Sequence, residues 1–244
     1  MNFLKNILGR IFALWALIVF AVSLLIIFIP IWVLGLYSEP KRTIYVFKIF
    51  DVWMTLFFVL TGVRRIIKGK KNFKKGEAYI VVCNHNSFMD VPLSSTAILG
   101  PNKTIAKVEM ARIPFFGMIY KRGSVLVDRK DEKSRRASFT KMREVLEMGL
   151  HMCIYPEGTR NKTSEPLQKF HDGAFKLAVE TGRSIIPAVI FHTKKVLPTY
   201  KSFFFWPHKV EMHFLPPVTA PGKTAQQLKE DIFNLMKHYY LQHQ

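Results

Sequence analysis

A histidine and an aspartate stand five positions apart in Val81-Val82-Cys83-Asn84-His85-Asn86-Ser87-Phe88-Met89-Asp90, where an apolar run ends in a polar elbow. Such a pair can form a general base, because the carboxylate holds one ring nitrogen and leaves the other free to take a proton. On one continuous helix, residues i and i+5 point about 140° apart, which is poor geometry for a hydrogen bond. The spacing therefore predicts that His85 sits in the loop leaving a strand. Asn86 or Ser87 is expected to cap the next helix, from which Asp90 reaches back. An imidazole, with an ordinary pKa of about 6.5, suits a base working near neutrality.

A second constellation is Tyr155-Pro156-Glu157-Gly158-Thr159-Arg160. Pro156 stops a strand, Gly158 permits close backbone approach, and Arg160 offers a planar fork suited to phosphate. Glu157 is expected to hold that fork; the bland alternative is a surface turn with a local ion pair. A third is Gly123 to Arg129, a strand finishing on an arginine, and Lys107 follows another strand. Alone, neither cation says much. If the strand ends converge, Lys107, Arg129 and Arg160 make a cationic pocket for a phosphomonoester. The remaining histidines lack paired ligand spacing with cysteine or carboxylate, so no metal site is expected. There is no Gly-x-x-x-x-Gly-Lys loop, no Gly-x-Gly-x-x-Gly fingerprint and no Gly-x-Ser-x-Gly elbow.

Strands read at 77–84, 103–106, 123–128, 150–155, 184–191 and 210–215 alternate with helical stretches. Ser134 is expected to cap a helix reaching Met148, with Phe139, Met142, Val145 and Leu146 on one face. Thr224 is expected to cap a closing helix bearing Leu228, Ile232, Leu235 and Tyr239. Strands alternating with helices predict an α/β layered domain around a largely parallel or mixed sheet. Strand ends are where such domains keep their sites.

Ahead of this domain, Ile11 to Leu36 contains no charged residue, long enough to span a bilayer. A second apolar stretch, 52–63, extends an amphipathic helix begun at Thr43. The expected division is a membrane-associated helical segment at 1–70 and a catalytic α/β domain at 71–244. Cations flank every apolar run, which favours a hairpin dipping into one leaflet over a single crossing and keeps the domain on the cytoplasmic face. The formal charge is +19 over 244 residues. With the apolar segment present, that charge points to an anionic bilayer and a phosphorylated substrate rather than nucleic acid. Cys83 and Cys153 lie in apolar strand-like runs and read as core residues in a reducing compartment, where the two Asn-Lys-Thr tripeptides go unused. The run Phe203-Phe204-Phe205-Trp206 reads equally as a lipid-docking patch or as core.

The segment 84–90 resembles the His-x-x-x-x-Asp signature of the 1-acyl-sn-glycerol-3-phosphate acyltransferases. The likeness extends through Ala106-Lys107-Val108-Glu109, Ile113-Pro114-Phe115-Phe116-Gly117, Gly123 to Arg129, Glu157-Gly158-Thr159-Arg160, Phe170 to Ala174 and Ile185-Ile186-Pro187. Departures are Val108 where a second lysine is common, Leu126 in place of an aromatic residue, and Asn161 where serine usually follows the arginine. The resemblance implies acyl transfer from an acyl-carrier-protein or coenzyme A thioester to the 2-hydroxyl of lysophosphatidic acid, with no further cofactor. It casts His85 and Asp90 as catalytic and Arg160, Glu157, Gly158, Thr159, Arg129 and Lys107 as the phosphate site. Phe115, Phe116, Gly117 and Pro187 fall to the acyl or donor side. Two alternatives stay open: another acceptor, such as a lyso-aminolipid or glycerol 3-phosphate, or a non-enzymatic basic membrane-surface protein.

Overall fold

The computed structural model describes residues 3–243. Its strands are β1 (Arg65–Lys68), β2 (Ile80–Cys83), β3 (Asn102–Lys107), β4 (Ser124–Val127), β5 (His151–Ile154), β6 (Ile185–Phe191) and β7 (Val210–Phe214). They form one sheet in the order β1-β7-β6-β2-β5-β3-β4. Only β6 and β7 pair antiparallel. This is the expected α/β layering.

Side-chain alternation along the strands splits the core in two. Val81, Cys83, Ile186, Ala188 and Met212 face α2 (Lys41–Leu60), α3 (Asp90–Ala97) and α4 (Phe116–Arg122). Ile80, Val82, Met152, Ile154 and Val189 face α5 (Glu132–Glu147), α6 (Gly173–Thr181) and, beyond the short α7 (Thr193–Val196), α8 (Ala225–Gln242). Cys83 and Cys153 are buried free thiols, their sulfurs 3.9 Å apart.

Several local expectations shift. Strand β1 was not foreseen: its two isoleucines are framed by cations, which disguised an edge strand paired with β7. The sheet thus begins ahead of the boundary expected after residue 70. Asp131, not Ser134, caps α5, accepting the N–H groups of Lys133 and Ser134. Ser134 Oγ instead accepts the Asp128 N–H at 2.9 Å, tying the helix to the end of β4. Thr224 caps α8 as expected, through a reciprocal bond with Gln227. Leu235 stays exposed and Met236 takes its core place. Pro187 lies inside the sheet beside a bulge: between the Ile185–Val218 bridge and the Ala188–Phe214 pair the chain after β7 carries one residue more than β6, and the Leu215 N–H donates to the Pro187 carbonyl at 2.8 Å.

The amino-terminal segments form a helical hairpin of α1 (Phe3–Val33) and α2, each long and apolar enough to cross a membrane. Small residues let α1 approach closely: Gly9, Ala13 and Ala16 are buried, while Leu14, Leu17, Ile18, Leu25 and Ile29 on its other faces are exposed. Trp53 Nε1–H donates to Ser23 Oγ at 2.8 Å across the hairpin. Phe204 and Phe205 are buried, the Phe205 N–H bonds the Gly9 carbonyl, and Trp206 meets Phe12. That run therefore locks α1 to the domain. Where α1 turns into α2, Glu39 accepts hydrogen bonds from Lys103 at 2.8 Å, from Thr43 and from Arg42. Burial alone would raise its carboxyl, but these donors hold it at about 2.

Candidate active site

His85 leaves β2 at its carboxyl tip, and Asp90 opens α3, as the spacing requires. His85 Nδ1 lies 2.8 Å from Asp90 Oδ2. The capping expectation is reversed. Met89 precedes the helix without a side-chain cap, and the Asp90 carboxylate itself accepts the N–H groups of Asn86 and Ser87. All these bonds fall on Oδ2, while Oδ1 is buried without a partner among the described residues. Asp90 is fully buried, so an ionised carboxylate there favours the tautomer with the proton on Nδ1 and leaves Nε2 to accept.

The elbow is anchored by residues whose role sequence did not reveal. Asn84 bonds both the N–H and the C=O of Ile190, continuing the sheet with its side chain. Ser87 Oγ donates to the Leu197 carbonyl at 2.7 Å. The His85 ring lies over Tyr155, 4.4 Å between centroids, and the Tyr155 hydroxyl is bonded to Ser94.

Strands β2, β5, β3 and β4 are neighbours running parallel, so the tips carrying His85, Glu157, Lys107 and Arg129 lie along one edge of the sheet. The loop after β5 closes on the elbow from both sides. Glu157 Oε1 accepts the His85 N–H at 2.8 Å, and the Asn161 N–H donates to the His85 carbonyl at 2.6 Å. This corrects the expected partnership of Glu157 with Arg160: its other oxygen accepts the Gln168 N–H. Arg160 is held instead by Phe88, its guanidinium 3.6 Å from the ring centroid. A ring inside the His-x-x-x-x-Asp segment thus aims the arginine. Gly158 has φ +71°, and a Cβ there would stand 2.9 Å from His171 and 3.6 Å from Arg129 Nη1, so Arg129 joins this loop. Thr159 is exposed and donates to Gln168. Lys107 is exposed at the end of β3.

The other forecast residues sit elsewhere. Phe115 meets Phe28, and Phe116 meets Phe20 and Tyr120, joining α4 to the hairpin. Gly117 packs α4 against the Ala111 carbonyl, 2.2 Å from where a Cβ would be. Pro187 is buried within β6.

Glu157 is 3% exposed, and burial pushes its carboxyl from 4.5 up to about 7 against the opposing N–H bonds. A proton bound more tightly in the folded state stabilises it fully below about 4.5, and that contribution disappears as pH rises through about 7. Glu157→Gln abolishes the titration. Its melting temperature relative to the parent protein should therefore climb across that window, by the equivalent of on the order of 3 kcal/mol. A pH-independent difference would show that Glu157 titrates normally.

The Acyltransferase family profile matches residues 64–191. A 1-acyl-sn-glycerol-3-phosphate acyltransferase from Borreliella burgdorferi is 32% identical over 135 residues, covering 55% of this chain and 54% of that relative. The chain therefore spans about half of that protein's length. A protein of the same name from Helicobacter pylori is 29% identical over 188 residues, covering 77% of each chain. The alpha form from Mus musculus is 28% identical over 207 residues, covering 83% of this chain and 72% of its own. In fold, the chain is similar to the crystal structure of the 1-acyl-sn-glycerophosphate acyltransferase PlsC from Thermotoga maritima. The TM-score is 0.83 at 21% identity, covering 98% of this chain and 99% of the other. With the profile spanning more than half its residues, the chain belongs to the Acyltransferase family.

Proposed function

We propose that this protein is a membrane-bound enzyme that acylates the 2-hydroxyl of 1-acyl-sn-glycerol 3-phosphate, forming phosphatidic acid from an acyl-carrier-protein or coenzyme A thioester. The observation that carries this is the joining of the base to the cationic loop: one segment grips the His85 peptide on both sides and bears Arg160, stacked on the same elbow. His85 Nε2 takes the hydroxyl proton as the alcohol oxygen attacks the thioester carbonyl. The tetrahedral oxyanion then collapses, the carbon–sulfur bond breaks, and the departing thiolate recovers the proton from the imidazolium. Asp90 fixes the tautomer and stabilises that imidazolium. Arg160, with Arg129 and Lys107, holds the acceptor phosphate and aims its hydroxyl at His85.

The hairpin enters one leaflet and the domain rests on the cytoplasmic surface. Support comes from the exposed apolar faces of α1 and from the cations on each flank. Labelled acyl transfer to lysophosphatidic acid by purified protein in detergent tests the activity, with both thioesters as donors and a panel of lysolipids as acceptors. No transfer to lysophosphatidic acid from either donor would refute it. Arg160→Ala should raise KM for the phosphorylated acceptor by about tenfold to a hundredfold, the loss of one or two charge-assisted bonds, and change the thioester KM less. The reverse ordering would assign that arginine to the donor.

A further inference from the structure

At the end of the sheet where the parallel strands begin, opposite His85, a pocket of about 230 Å³ opens between the hairpin turn and α4. It is lined by Glu39, Arg42, Lys103, Met118, Lys121 and Arg122. Four cations face one carboxylate. Glu39 already receives Arg42 and Lys103, so Lys121 and Arg122 have no counter-ion among the described residues. Balancing Glu39 would need one cation; a tie between hairpin and sheet does not account for the other three.

The placement of Arg122 is built in. A Cβ on Gly35 would stand 2.2 Å from Arg122 Nη2, so the guanidinium lies against the backbone of the turn because no side chain is there. Trp32, Leu36 and Tyr37, on or beside that turn, are exposed at 60%, 83% and 46%. Exposed aromatic and aliphatic groups beside unpaired cations match the level of a bilayer at which acyl carbon gives way to phosphate.

We propose that this pocket binds the phosphate of an anionic phospholipid in the leaflet that receives the hairpin, a second phosphate site separate from the acceptor site at Arg160. It rests on the membrane placement proposed above. Lys121 and Arg122 supply the charge that the phosphate oxygens need, and the Glu39 carboxylate, already covered by Arg42 and Lys103, forms the far wall.

The test is co-flotation of the full-length protein with phosphatidylcholine vesicles, with and without phosphatidylglycerol. A cation near such a surface is worth about fivefold in affinity, so Lys121→Gln/Arg122→Gln should lose about thirtyfold on the anionic vesicles only. Gly35→Ala keeps every charge yet displaces the guanidinium, and should lose about fivefold. Lys141→Gln/Arg143→Gln, exposed on α5 across the sheet, removes two charges and should change little. Equal losses in the two double variants, with Gly35→Ala unaffected, would reduce the effect to diffuse charge and overturn the site. If inorganic phosphate raises the melting temperature through Lys121 and Arg122 while vesicle affinity is unmoved, the ligand is free phosphate and the lipid assignment fails. A parent protein that ignores both vesicle types overturns the site and the membrane placement together. Acyl transfer in detergent should be unchanged in all these variants, so failure of the proposed reaction would be seen separately, in the parent protein.

Discussion

His85→Ala should lower the turnover of acyl transfer about 10³- to 10⁴-fold, the upper part of the range for a general base, while folding and vesicle binding persist. The expectation of a clean chemical loss comes from how position 85 is held. Its peptide is fixed by Glu157 and by Asn161 through backbone atoms, and alanine keeps both bonds. Asp90 retains the N–H groups of Asn86 and Ser87, so its buried charge is not stranded. What disappears is the ring over Tyr155 and the one nitrogen able to accept the acceptor's proton. The site offers no serine in a nucleophile elbow to take over. Labelled transfer and a melting curve on the same preparation decide the matter. A variant that keeps a tenth of the parent turnover would remove His85 from the chemistry.

The parts of this site that sequence disclosed are those settled within a few residues. His85 and Asp90 could be placed because an apolar run must end before a polar elbow, and because i+5 excludes one helix. Strand alternation read through β2 to β7 for the same reason: burial on both faces writes itself into consecutive residues. The partners of the loop after β5 were different. Glu157 was assigned to Arg160 because they are near in sequence, yet it bonds a peptide 72 positions earlier. Phe88 lay in plain view inside the signature, but only the folded loop sets its ring under Arg160. Strand β1 was hidden because its partner β7 lies far along the chain and its flanking cations resemble a juxtamembrane charge cluster. Asn84 reads from sequence only as the last residue of a strand, because its side-chain pairing with Ile190 copies a backbone bond that no local pattern announces.

Asp90→Asn should cost about 10² to 10³ in turnover with little loss of stability, and the contrast with Asp90→Ala separates charge from architecture. Three donors, His85 Nδ1 and the N–H groups of Asn86 and Ser87, converge on Oδ2, while Oδ1 has no partner among the described residues. An asparagine that turns its carbonyl oxygen toward Oδ2 satisfies all three and leaves its amide at the vacant side. The imidazole then keeps its orientation and tautomer, and only the negative charge is lost. That charge acts when the imidazolium forms. Removing one partner of a buried ion pair costs about 3–5 kcal/mol, and the partial exposure of the His85 ring, 18%, places the effect at the low end. Asp90→Ala leaves two buried N–H groups unpaired, at about 1–3 kcal/mol each, so the elbow itself should loosen and the melting temperature fall. If the asparagine variant instead matched the parent in turnover, the carboxylate would serve only to shape the loop. Stabilisation of the imidazolium would then have to come from elsewhere in the cleft.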